Sequence, residues 1–177
     1  MGERDGVARY PWAYVQYLVE FHATRDYFEC HELLEDHWKS HPGDPLAEVW
    51  VGLIQLAVGS YHHRRGNLAG AVKMFAQAKR RLNAESLDGL GLDGDRSMIR
   101  IIERCDAAEA GEAFEDVELP IHDEWLKGEC DRITRREGLV WGAPSRREEA
   151  LTDRHRLRDR TDVLAAREAA LKARDGR

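Results

Sequence analysis

The sequence lacks the features that would place it among secreted, membrane or disulfide-rich proteins. Its three cysteines, Cys30, Cys105 and Cys130, are far apart and form no Cys-x-x-Cys pair, which argues against a disulfide framework or a zinc ribbon and favours a reducing compartment. The first ten residues contain no apolar signal-peptide core. No apolar run approaches the length of a membrane span. We therefore predict a cytoplasmic protein that does not cross a membrane.

Positive charge is also scarce over most of the chain. The 27 Lys and Arg residues are outnumbered by 33 Asp and Glu residues, which gives a net charge of −6. Because nucleic-acid-binding domains usually have a basic balance, no nucleic-acid partner is expected. The charge is unevenly distributed: residues 145–177 carry 10 basic and 7 acidic side chains, a net +3, and residues 1–144 carry 17 and 26, a net −9. This asymmetry predicts a globular domain over 1–144 and a charged tail over 145–177.

No segment of the sequence alternates like a strand, and helical periodicity dominates instead. The predicted helices are one ending near Ala23, a second over residues 24–41, a third from Pro45 with Asp44 as its N-cap, a fourth capped by Asn67, a fifth from Arg96 and a sixth around Trp125. The third is apolar on nearly all sides, which predicts that neighbours surround it. Residues 87–95 are expected to form a loop and residues 114–121 an extended arm. The fold class is therefore all-α, a compact bundle of about six helices built from antiparallel helix hairpins.

The tail from Ser145 is expected to be a solvent-exposed helix or partly disordered. Leu157, Leu164 and Leu171 repeat every seven residues, a spacing typical of a coiled coil. The complementary core positions, however, would be occupied by Arg154, Thr161 and Glu168, which are poor core residues. The alternative is a helix that binds a partner.

A polar stripe runs through the second predicted helix, within the stretch YFECHELLEDHW (residues 27–38). At the helical spacing of about 100° per residue, Phe28, His31, Glu35 and Trp38 fall within about 80° of one another. His31 and Glu35 therefore share the apolar face of the helix, and Glu32 sits at its edge. This pattern predicts a buried polar site.

The third predicted helix carries a comparable stripe of Gly52, Gln55, Gly59 and His62. Two glycines seven residues apart let a neighbouring helix approach closely, which would explain their cost of about 1 kcal/mol each within a helix. A short connection makes the second and third helices antiparallel neighbours. We therefore expect Gln55 to contact His31 and Glu35, with His62 further along the helix.

Three interpretations of this polar site remain open. It can be a satisfied core network, since a buried carboxylate needs partners, or a pocket for a small polar ligand or a protein segment. It can also bind a divalent metal through His31 and Glu35 at i,i+4 spacing, with His62 or Glu32 completing the ligand set. The repeated Glu-x-x-His signature of di-iron bundles is absent. The other histidines, at positions 22, 37, 41, 63, 122 and 155, are expected to be solvated.

Taken in order, three motifs resemble one family of helical proteins. They are H-E-x-L-E-x-x-W from His31 to Trp38, G-L-I-Q from Gly52 to Gln55, and H-x-x-R-G-N-x-x-G-A from His62 to Ala71. Together with a later ELPI, this combination resembles the domain of unknown function 309 family over roughly residues 10–130. The resemblance implies a small all-α bundle of cytosolic proteins and brings no settled activity.

Two functional hypotheses follow from the sequence. The leading one is a non-catalytic binding or scaffold domain whose candidate polar site comprises His31, Glu32, Glu35, Trp38, Gln55, His62 and Asn67. Its partner would be a protein or a small polar ligand. The alternative is a metal-dependent, hydrolase-like enzyme centred on His31 and Glu35, with a divalent metal as cofactor and His62 as a further ligand.

Overall fold

A computed structural model describes residues 9–145, and these residues form seven α-helices. The helices are Trp12–Val19 (α1), Tyr27–Ser40 (α2), Ala47–Arg64 (α3), Leu68–Arg81 (α4), Ala84–Gly89 (α5), Gly94–Glu109 (α6) and Glu124–Arg136 (α7). A π-helical segment, Glu20–Thr24, extends α1. Over residues 9–145 the only β pairing is an isolated bridge between Leu92 and Ile121. The all-α prediction is confirmed.

Helix α3 is the central helix of the fold. Eleven of its 18 residues are buried, so the prediction that neighbours surround it is confirmed. α1 reaches it through Tyr17, whose hydroxyl donates to the Leu53 carbonyl at 2.8 Å, and through the ring of Tyr14, 5.7 Å from that of Trp50. Helices α2 and α4 pack along it. Residues of α3 therefore hold the positions of three other helices.

The α3–α4 interface depends on two glycines. A Cβ atom on Gly52 would lie 2.7 Å from the side chain of Leu82, and one on Gly59 would lie 2.6 Å from the ring of Phe75. Gly59 follows Gly52 along α3, but its partner Phe75 precedes Leu82 along the chain. The helices α3 and α4 therefore run in opposite directions. Close approach at these glycines was predicted correctly, but the partner helix is α4 and not α2.

Several predicted boundaries are wrong: α2 begins at Tyr27 rather than at residue 24, and α6 begins at Gly94 rather than at Arg96. Helix α3 begins at Ala47 rather than at Pro45. Asp44 orders the preceding turn, where its carboxylate accepts from the Leu46 backbone N–H at 2.8 Å and from the indole of Trp50 at 2.9 Å. Part of the expected loop over 87–95 belongs to α5, which starts with a capping box between Asn83 and Ser86. A six-residue helix is too short to show a clear apolar period.

The junction between the π-helical segment and α2 is joined to the end of the described chain by Arg25. Its side chain is buried and its φ of +58° places the backbone in the left-handed region. The guanidinium donates to the carbonyls of Ala143 and Val117, both at 2.8 Å, and to that of Phe21 at 3.2 Å. The arm over 114–121 is non-helical, as predicted.

The predictions for the tail concern residues that lie almost wholly outside the described range, which ends at residue 145. The proposed division at 144/145 and the exposed or partner-binding helix therefore stay predictions. None of the helices within residues 9–145 is long and apolar enough to cross a membrane.

Candidate functional site

His31 and Glu35 form an ion pair on α2, with 2.5 Å between Nε2 and Oε2. Lys39 extends the pair by one turn, its Nζ lying 2.7 Å from Glu35 Oε1. The side chains of His31 and Glu35 are 27% and 31% exposed, so the predicted buried site is wrong in this respect. Partial burial raises the pKa of Glu35, but the hydrogen bond from Lys39 and the charge of His31 outweigh it and leave the pKa lowered. The three residues form a partly exposed charge ladder.

Gln55 does not join this ladder, which corrects the second expectation. Its amide nitrogen donates to Gln77 Oε1 at 2.7 Å, and its carbonyl oxygen accepts from Arg81 Nε at 3.1 Å. Both partners belong to α4. The stripe that contains Gln55 was identified correctly, but this face of α3 meets α4, and the amide is therefore held away from α2.

His62 and Asn67 order the turn between α3 and α4. Asn67 Oδ1 accepts from the Gly70 backbone N–H at 3.0 Å, and Asn67 Nδ2 lies 3.3 Å from His62 Nδ1. A Cβ atom on Gly70 would lie 3.0 Å from the His62 ring. The predicted N-cap role of Asn67 is confirmed. The last motif of the sequence, H-x-x-R-G-N-x-x-G-A, therefore encodes a compact helix–turn–helix connection.

The two remaining candidates, Trp38 and Glu32, also belong to α2. Trp38 is half-buried and packs against the hydrophobic core. Glu32 is half-exposed and is one residue away from His31. The ion pairs of the ladder join His31, Glu35 and Lys39.

A cleft between the start of α2 and the end of α3, here called the α2–α3 cleft, brings His31 and His62 to one site. It is lined by Tyr27, Phe28, His31, Val58, Tyr61 and His62, and its volume is about 190 Å³. The lining surface is almost entirely apolar. Since pockets for small molecules usually measure about 300–1,000 Å³, this cleft is sized for one or two side chains rather than for a cofactor.

Tyr27 makes one wall of the cleft rigid. Its hydroxyl donates to Asp116 at 2.5 Å, and the guanidinium of Arg64 lies 4.8 Å from the centre of its ring. Arg64 also donates to the Arg25 carbonyl at 2.7 Å. Burial raises the pKa of Tyr27 well above its usual value, and the neighbouring Asp116 charge adds to this. The phenol is therefore neutral and held in place.

The described residues offer no third ligand for the predicted metal site. Within residues 9–145, no group of three His, Cys, Asp or Glu side chains is placed to hold a metal ion. His31 and Glu35 are paired with each other, and His62 lines the same cleft as His31 but has its Nδ1 beside Asn67. These three candidates therefore do not form a ligand set.

Two histidines that were expected to be solvated are buried instead, His22 at 1% exposure and His63 at 3%. His22 Nδ1 donates to the Leu18 carbonyl at 2.8 Å and its Nε2 accepts from the Leu119 N–H at 2.9 Å, so both nitrogens are satisfied in the neutral form. Burial lowers the pKa of His22 to about 3. The spacing of His22 four residues after apolar Leu18 is the signal that could have identified it.

Comparison with known proteins identifies the family. The family model described as domain of unknown function 309 (DUF309) matches residues 14–74. The uncharacterized protein YpuF of Bacillus subtilis (strain 168) is 48% identical over 168 residues, which cover 93% of this chain and 97% of that protein. The chain belongs to the DUF309 family. No solved structure matches the chain.

The DUF309 match includes both walls of the α2–α3 cleft, because α2 and α3 lie entirely within residues 14–74. The three DUF309 motifs therefore divide between two tasks. Those on α3 and α4 place Gly52, Gln55 and His62 in the α3–α4 interface, and His62 also lines the cleft. The motif on α2 places His31 at the cleft and Glu35 beside it.

Proposed function

We propose that this DUF309 protein is a non-catalytic binding domain, and that its α2–α3 cleft receives apolar side chains of a protein segment. The observation that carries the proposal is the apolar concavity at the surface between two helices. Apolar surface open to water is unfavourable by about 25 cal/mol per Å², and such surface on a soluble protein commonly marks an interaction site.

A protein segment suits the cleft better than a small polar ligand. A polar ligand would exchange its water for hydrogen bonds from convergent donors and acceptors. Here Phe28 and Val58 contribute only carbon to the lining, and the hydroxyl of Tyr27 is already bonded to Asp116. A small polar ligand would therefore lose more hydrogen bonds to water than this lining returns, whereas an apolar side chain loses none.

The proposal is tested by site-specific photo-crosslinking in the cells that naturally produce the protein. Val58, which lines the cleft, is replaced by p-benzoylphenylalanine. The matched control places the same residue at Ile99, an apolar side chain of α6 that is 55% exposed. We expect a discrete protein adduct from position 58 that is missing from position 99.

A second substitution shows whether the adduct depends on the cleft itself. Phe28→Ala removes one apolar wall and should strongly reduce the adduct at position 58, whereas Glu103→Ala, at an exposed position of α6, should leave it unchanged. Identical adducts from positions 58 and 99, or an adduct that Phe28→Ala does not alter, would count against the proposal.

A further inference from the structure

We propose that the residues following Ser145 occupy the α2–α3 cleft of the same chain, so that the protein regulates access to its own site. This inference rests on the proposed function, because it names an occupant and competitor for that cleft. Two features support it, namely the position of Ser145 at the end of the described chain and the sequence that follows this residue.

The described chain ends next to the cleft. The backbone N–H of Ser145 donates to Asp116 Oδ2 at 2.8 Å, and its hydroxyl donates to Asp116 Oδ1 at 2.5 Å. The same Oδ1 accepts from Tyr27, which lines the cleft. Arg64 donates to the Ser145 hydroxyl at 3.2 Å while its guanidinium lies over the Tyr27 ring. A single carboxylate thus separates the exit point of the chain from the cleft wall.

The sequence that follows provides apolar side chains within reach. Leu157, Leu164 and Leu171 recur every seven residues, and eight of the eleven residues over 163–173 are Ala, Val or Leu. An extended chain spans at most about 3.3–3.6 Å per residue, so the twelve residues from Ser145 to Leu157 can cover roughly 40 Å. Length therefore does not prevent any of the three leucines from reaching the cleft.

Charge and tethering both favour this occupant over an unrelated segment. Residues 145–177 carry a net +3, and residues 1–144 carry a net −9, so the two parts attract each other at moderate ionic strength. A short covalent tether gives an effective concentration of the order of millimolar. A contact too weak to bring separate molecules together is therefore sufficient within one chain, and an external partner has to compete with it.

The docking is tested by paramagnetic relaxation in the full-length protein. The three native cysteines are all buried, so a nitroxide reagent reacts selectively with the thiol of the Arg167→Cys variant. We expect the amide signals of Phe28 and Val58 to lose most of their intensity and that of Ile99 to keep its intensity. Equal loss at all three positions would overturn the proposal.

Two matched double variants separate a specific contact from a nonspecific one. Leu164→Asn with Leu171→Asn should restore the signals of Phe28 and Val58, whereas Thr152→Asn with Thr161→Asn, which changes no charge either, should leave them broadened. Broadening that survives the leucine variant contradicts the proposal. Broadening found only between labelled and isotope-enriched chains in a mixture also contradicts it, because the occupant would then be a second copy.

Photo-crosslinking at Val58 in the leucine variant distinguishes the two proposals. If the tail competes with a partner, the adduct at position 58 should increase several-fold relative to the threonine variant. A partner adduct without selective broadening would support the binding function and overturn the tail as occupant. Selective broadening with no partner adduct in the leucine variant would support the tail contact and overturn the binding function.

Discussion

Gly59→Ala is expected to destabilise the protein although alanine is the better helix former. In an unhindered helix the change would stabilise by about 1 kcal/mol. At position 59, however, the new Cβ would lie 2.6 Å from Phe75 Cδ1, and the Phe75 ring is fully enclosed between the helices. Overpacking of this kind costs about 1–3 kcal/mol. The net effect is a loss of about 0–2 kcal/mol.

Gly128 provides the matched control, because it also lies within a helix but a Cβ atom added there would meet no neighbouring atom within 4 Å. Gly128→Ala should therefore stabilise by the full value of about 1 kcal/mol. The two variants should differ by about 1–3 kcal/mol in the free energy of unfolding, measured by urea titration with an unchanged slope.

The role of the Phe75 ring is measured by a double-mutant cycle. Phe75→Leu relieves the clash, so Gly59→Ala should cost less in the Phe75→Leu background than in the wild type, with a coupling energy of about 0.5–3 kcal/mol. If Gly59→Ala stabilised the protein as much as Gly128→Ala, the α3–α4 interface could not be as close as described.

Three further predictions concern the buried and the exposed polar groups. Arg25→Met should cost several kcal/mol in urea titrations, since each buried acceptor left unmet costs about 1–3 kcal/mol, whereas Arg100→Met on the surface should stay within about 0.5 kcal/mol. The pKa of His22 is about 3 in the folded state against an ordinary 6.5, so the folded protein keeps the imidazole neutral. The stability that the neutral ring contributes is complete above pH 6.5, and the free energy of unfolding decreases by about 1.4 kcal/mol per pH unit as the pH falls from 6.5 towards 3. His22→Gln should flatten the pH dependence of the free energy of unfolding between pH 3 and 6.5. Glu35→Ala should lower the free energy of unfolding by less than about 1 kcal/mol, because the partners of Glu35 are partly exposed. A loss of about 3 kcal/mol, typical of a broken buried pair, would contradict the partial exposure of these ion pairs.

Sequence periodicity predicted which residues share a helix face but not which helix meets that face. Gly52, Gln55 and Gly59 were correctly placed on one stripe, yet the stripe contacts α4 rather than α2. A helical repeat of about 3.6 residues shows which residues share a face, but it does not show which neighbouring helix that face contacts. The same ambiguity explains His31, which shares a face with apolar Phe28 but lies where that face meets the surface.

The buried polar residues were harder to predict than the helices. His22 and Arg25 find their acceptors and donors in residues 117–143, far along the chain, and only the folded arm brings these groups together. Asn67 was identified readily, because an N-cap depends on neighbouring residues alone.

The hydrogen bond between Arg25 and Ala143 spans 118 residues, which has a consequence for folding during synthesis. At about 5–20 residues per second, a ribosome needs roughly 6–24 s to make that stretch. Helices α1 to α4 emerge long before the acceptor for Arg25, and before Asp116, which holds Tyr27. The Tyr27 wall of the α2–α3 cleft is therefore expected to be completed late, so a nascent chain would acquire the complete cleft only after Asp116 and Ala143 have been made.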